Sequence, residues 1–256
     1  MESVSRRAAC AARVNPTSAT DARIPIDFFH RLAAFRGEGP SAEPAVRRPS
    51  PELLPAAERR RAPDTVALAL EVAAHAVAQS GLRSAELLSV FCSCHGDLAI
   101  NDYLCSTLVS APLMISPTRF HNSVHNAASG YWTVATGCMQ ASTAVSAFES
   151  SFAAGLLEAL AQCAAETRPV LQVGCDIGAC AALASTNASR GLLAAALVIA
   201  PGRSARSQAA LPLGANAMAD AVPLFEALAR ADPAPLPLSA TLALRLQLGA
   251  MTRWSA

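Results

Sequence analysis

The 256-residue chain contains no lysine; all 20 of its basic residues are arginine. That absence excludes Schiff-base and lysine-assisted chemistry carried by this chain alone. Net charge is also lacking, at a formal +1, so the chain shows no electrostatic footprint for nucleic acid. Arg59, Arg60 and Arg61 form the one dense basic cluster, and a solvated helix start explains it at least as well as a partner site does. Aromatic residues amount to only 5%, which draws attention to the adjacent Tyr131 and Trp132 as a packing junction. No apolar run approaches the roughly 20 residues of a membrane span. The longest, Leu192 to Ala200, suits a buried strand. Met1 to Val14 carries Arg6, Arg7 and Arg13 with no unbroken apolar core, and so fails as a signal peptide. The 8 cysteines lack the spacing of a secreted disulfide framework and are expected to be reduced thiols in a cytoplasmic protein.

Alternation of apolar strands with helices fills most of what is present. Ile26 to Phe35 has helical spacing, with Asp27 as a cap, and a proline-rich, irregular segment follows it. Asp64 opens a helix whose Val66, Leu70, Ala73 and Val77 share a face, and Gly81 stops it. Further helices are expected over Leu98–Val109, Asn126–Ala135 and Ser150–Ala165. Strands are expected at Leu87–Cys92, Thr143–Ser146, Pro169–Cys175 and Leu192–Ala200, with a last one in SATLALRLQL. Continuous apolar strands between helices predict an α/β layered domain with both sheet faces covered. The expected division is a weakly ordered segment 1–25, a domain over 26–201, and an extension of unclear structure over 202–256.

One stretch is specific. SPTRFHNSVHNAASGYWTVATG (Ser116 to Gly137), with PELLPAAERRRAPDTVALALEVA upstream and ASTAVSAFESSFAAGLLEAL downstream, resembles the N-terminal domain of the β-ketoacyl synthase-like family. That family occurs in aryl-polyene and other fatty-acid-like or polyketide biosynthesis. The resemblance implies a thiolase-like half-fold, with a five-stranded mixed sheet covered by helices on both faces. It also implies dimerisation through the strand before an active-site elbow. In active members the elbow carries a nucleophilic cysteine at a helix N-terminus, and the C-terminal half adds two histidines and a lysine.

Two departures follow from this comparison. Aligning TAVSAFESSFAAG with the elbow places Glu149 at or next to the nucleophile position. A carboxylate there is comfortable in the helix dipole, but it would carry an acyl group only as a readily hydrolysed anhydride. No histidine follows His125 and no lysine occurs at all. Both features resemble a chain length factor, the inactive partner of a type II ketosynthase, which shapes the acyl tunnel of its partner. The implied partners are a full-length ketosynthase, as a heterodimer, and transiently an acyl carrier protein, with no cofactor. Candidate interface and tunnel residues are Phe120, His121, Asn122, His125, Asn126, Tyr131, Ser142, Thr143, Val145, Ser146 and Phe148.

Other chemistries compete for the same residues. His121 and His125 stand four apart on what would be one helix face, but no HExxH context supports a metal. Cys92, Cys94 and His95 (CSCH) match no standard zinc knuckle. Ser150 and Ser151 lack a G-x-S-x-G frame. Cys138 is the alternative nucleophile: with it, the chain would be an autonomous acyltransferase or ketosynthase.

Overall fold

The computed structural model describes residues 49–185, 189, 192–201, 218, 221 and 224, together with strand segments 9–14, 24–27, 207–208, 236–237 and 243–248. In chain order the elements are β1 (Ala9–Val14), β2 (Ile24–Asp27), α1 (Ala56–Arg61), α2 (Asp64–Ser80), β3 (Leu88–Cys92), α3 (Leu98–Ser110), α4 (Pro117–His121), α5 (Ala127–Thr136), β4 (Ser142–Val145), α6 (Ser151–Glu166), β5 (Val170–Ile177), β6 (Leu192–Ile199), β7 (Ser207–Gln208), β8 (Leu236–Pro237) and β9 (Ala243–Leu248).

The main sheet runs β4-β3-β5-β6. β3 is parallel to both β4 and β5, while β6 returns antiparallel to β5. β3, β5 and β6 are buried almost throughout, which explains why they read as mainly apolar runs rather than alternating ones. Side-chain alternation splits the interior into two cores. Leu171, Val173 and Cys175 of β5 meet Ala194, Ala196 and Val198 of β6 under α2, with Trp132 from α5. On the opposite face Leu193, Ala195, Leu197 and Ile199 pack with Val90 and Cys92 under α6. The result is the α/β arrangement expected of a thiolase-like fold, with helices on both faces.

α6 sits close to its sheet because residue 155 has no side chain. A Cβ there would lie 2.7 Å from Cys92 Sγ and 2.8 Å from Cys92 Cβ. Helix ends follow local chemistry: Asp97 caps α3 by accepting from the N–H groups of Ala99 and Ile100. Gly81 ends α2 and Gly137 ends α5, each in the left-handed region.

Three expectations change. The mixed sheet has four strands among the described residues, not five. β2 approaches β6, the edge where another strand would fit, but its ladder partner is β1. Ile26 and Asp27, expected to open a helix, are strand residues of β2, and the rest of that predicted helix lies outside the described residues. The extension beyond 201 also contributes to the fold: Met218, Ala221 and Leu224 are buried in the core beneath α6. β9 pairs antiparallel with β1, so a second sheet joins segments from near both chain ends. The periodicity shows no strand at Ala9–Val14 because its residues (ACAARV) are mostly small and neither alternate nor form a bulky apolar run.

Candidate functional site

In open α/β sheets, functional groups gather beyond the carboxyl ends of the parallel strands. Three such ends meet here. β3 runs into Ser93–Asp97, β4 into Ser146–Glu149, and β5 ends at Asp176 and Ile177. Asp176 is fully buried and ties the first of these loops in place. It accepts from Ser93 Oγ at 2.9 Å and from the Cys94 N–H at 3.2 Å, and Ser189 Oγ donates to its other oxygen. Ser146 Oγ then donates to the Cys94 carbonyl at 2.6 Å, joining the β3 and β4 loops.

The turn from β4 into α6 is a single 3-10 turn, Phe148–Ser150. Phe148 holds φ at 49°, an unusual setting for a bulky residue. Ser151 supports the turn by accepting from the Ala147 N–H at 2.9 Å and donating to the Phe148 carbonyl at 2.6 Å. Phe148 is exposed and meets the His95 ring edge-on, with centroids 5.6 Å apart. His95 Nε2 is buried without a protein partner. Glu149 is exposed directly before the 16-residue α6, where a helix N-terminus favours a carboxylate.

The elbow itself, residues 146–151, contains no cysteine. The thiol close enough to feel Glu149 is Cys94, and it is pushed up to about 11, first by burial and then by the Asp176 and Glu149 carboxylates. Cys92 is pushed up to about 12, chiefly by burial. Raised thiols are poor nucleophiles at neutral pH. Cys138 is buried at the other end of the parallel strands, where Sγ donates to the Leu87 carbonyl just before β3. It sits away from the elbow.

β4 forms one edge of the main sheet, pairing among the described residues only with β3. Ser142 is exposed, and its Oγ accepts from Ser89 Oγ at 2.9 Å. Thr143 Oγ1 accepts from Gln162 Nε2 at 2.9 Å, and Val145 packs on the α6-side core. The other candidates lie around α4 and α5. Phe120 and His121 are exposed, His121 lying 6.3 Å from the Tyr131 ring. Tyr131 is half-buried against the α2-side core, and Asn126 is exposed at the start of α5 without a capping bond. Asn122 ends α4 and is buried, while His125 Nε2 bonds the Ser93 carbonyl at 3.0 Å. α4 ends at His121, so His121 and His125 do not share a helix face. The geometric premise of a metal pair is gone.

The β3 loop therefore joins two groups, with His125 on one side and Ser146 on the other. Asp97, Thr65, Ser93 and Asp176 are absent from the sequence-derived candidates. Asp97 had a detectable signal, an acidic residue directly before an apolar helix; Asp176 had one too, a carboxylate inside an apolar strand.

A surface signal was also present. Between Tyr103 and Phe148 the sole formal charge is Arg119, and its guanidinium lies 4.0 Å above the Tyr103 ring. Over this stretch Leu108, Val109, Leu113, Met114, Val134 and Met139 are exposed, Leu113 at 98%. No helix among the described residues is long and apolar enough to cross a membrane.

Structural relatives agree with this architecture. A chain of the Xenorhabdus doucetiae complex of the ketosynthase ApeO with its chain length factor ApeC superposes with a TM-score of 0.67 at 20% identity, covering 87% of this chain and 98% of that one. A β-ketoacyl synthase from Burkholderia phymatum STM815 superposes with a TM-score of 0.50 at 14% identity, covering 60% of this chain and 46% of that one. The present chain thus matches about half the length of the Burkholderia synthase. No curated protein matches by sequence. Residues 37–243 match the family described as β-ketoacyl synthase, N-terminal domain, and the chain belongs to that family.

Proposed function

We propose that this chain is a catalytically silent, chain-length-factor-like subunit that pairs with an active β-ketoacyl synthase and shapes its acyl tunnel. The observation that carries this reading is the elbow, where Glu149 stands at the N-terminus of α6 and the neighbouring thiol of Cys94 is buried and raised. A carboxylate at that point has no stable thioester to form, so the scaffold is retained without its nucleophile. Likeness to a chain from a ketosynthase–chain length factor complex supports the pairing. So do the exposed apolar side chains of the charge-poor stretch from Tyr103 to Phe148.

In this reading β4 and the Phe120–Tyr131 region contact the partner, and Phe148 and His95 face the acyl path. The acyl carrier protein visits transiently, and the complex works in the cytoplasm in biosynthesis of the aryl-polyene type. Co-expression with a full-length ketosynthase from the same source, followed by size-exclusion chromatography, tests the pairing. One peak holding both chains in equal amounts is expected; two independent peaks would refute it.

A further inference from the structure

A cleft separate from the elbow opens on the α2 face of the main sheet. It holds about 450 Å³ of empty space, counting its open mouth, and is lined by Thr65 and Val66 of α2, the loop after β3, and Asn122 to Ala128. Asn122 is only 4% exposed, and its Oδ1 has no protein partner. A buried carboxamide left unbonded is costly, so this one asks for a partner from outside the chain.

The surrounding polar groups are already committed. Thr65 Oγ1 donates to Asp97 Oδ2 at 2.9 Å, and Ala99 and Ile100 donate to Asp97 Oδ1 at 3.1 and 3.2 Å. Cys175 Sγ donates to the Thr65 carbonyl at 3.1 Å, and His125 Nε2 engages the Ser93 carbonyl. The Asp97 charge sits on the N-terminus of α3, which it caps, and beside the first turn of α2. Those helix ends offset it, so the cleft calls for no additional charge. Val66, Phe91, Ala128 and Val173 make the rest of the wall apolar. Its lining includes exposed Val124, and one wall, Asn122 to Ala128, belongs to the stretch whose one charge is Arg119.

We propose that this cleft is an anchor pocket for the ketosynthase subunit, receiving from it a short, neutral, hydrogen-bonding side chain that completes the Asn122 carboxamide. The chemistry selects the occupant: a carboxamide or hydroxyl to answer Asn122, an aliphatic stem to fill the apolar wall, and no charge. Energetic centres of protein interfaces sit in desolvated pockets ringed by contacts that exclude water, and a buried, unbonded carboxamide in an apolar cleft offers such a pocket. This inference rests on the heterodimer reading above.

Asn122→Leu and Ala128→Phe test it, the first removing the carboxamide and the second filling the cleft. Asn122 has no side-chain bond to lose in the free chain, so Asn122→Leu is expected to leave the thermal midpoint of the isolated chain unchanged or raised. The Kd for the ketosynthase, read by titration calorimetry, is expected to weaken about tenfold or more for both variants. A lowered midpoint for Asn122→Leu would give Asn122 an internal structural role and overturn the proposal. Unchanged Kd values in both variants, with a wild-type complex that forms normally, would overturn the anchor and leave the heterodimer standing. Failure of the wild-type chains to associate would refute the heterodimer and the anchor with it.

Discussion

Replacing Gly155 by alanine is the sharpest probe of how α6 is held in place. In an exposed helix this change would be favourable by about 0.5–1 kcal/mol, because alanine loses less backbone freedom. Here the added methyl would meet Cys92 Sγ at 2.7 Å and Cys92 Cβ at 2.8 Å, with Gln172 Nε2 at 3.6 Å. Contacts under 3 Å cannot be absorbed without moving the helix or the strand, and such overpacking costs about 1–3 kcal/mol. The net expectation is a loss of about 1–2 kcal/mol, or a fall in Tm of roughly 2–8 °C for a chain of this size. Urea denaturation followed by circular dichroism gives the free energy, and a thermal scan gives the midpoint. Cys92→Ala in the same background removes the sulfur and leaves the Cβ contact, so the double variant should lose less than the sum of the two single losses. A Gly155→Ala chain as stable as wild type or more so would show that α6 does not approach β3 this closely.

Other expectations concern the site and its supports. At pH 8 iodoacetamide should modify the exposed Cys105 and Cys180 in the folded chain and spare Cys92, Cys94, Cys163 and Cys175, as mass spectrometry of the peptides would show. Cys92 is raised from 9.0 to about 12 by burial, so above pH 9 the unfolded chain releases a proton that the folded chain keeps. Urea midpoints should therefore fall as pH rises from about 9 towards 12, and a flat profile would contradict the burial of that thiol. Asp97→Ala removes the cap of α3 and the partner of Thr65; a loss of about 1–2 kcal/mol in urea denaturation is expected. Glu149→Gln should leave the product profile of the ketosynthase complex unchanged, whereas a tenfold drop in rate would make Glu149 a catalytic group.

The contrast between what could and could not be read from the residues has a physical basis. Leu192–Ile199 and most of Val170–Ile177 announce themselves because strands buried on both faces are apolar at nearly every position, Gln172 and Asp176 being the exceptions in the second. The helices announce themselves through 3.6-residue spacing and their left-handed glycine ends, as at Gly81. The elbow was legible because a short strand, a turn and a small-residue helix follow one another without a gap. The pairing of β1 with β9 was not, since it joins residues more than two hundred positions apart: the alternating leucines of β9 mark a strand, but nothing local names its partner. The Asn122 cleft was hidden for a related reason. Thr65, Asp97 and Asn122 come from three separate helix ends, and only the fold brings them to one place. His121 and His125 misled because their spacing matches a helix that ends at the first of them.

Intact-mass spectrometry of the purified ketosynthase complex, sampled during turnover with acyl carrier protein and malonyl donor, bears most directly on the silent role assigned to this chain. Acyl adducts are expected on the ketosynthase chain alone, with this chain keeping its unmodified mass throughout. An acyl adduct on this chain that forms and disappears as product accumulates would contradict the account.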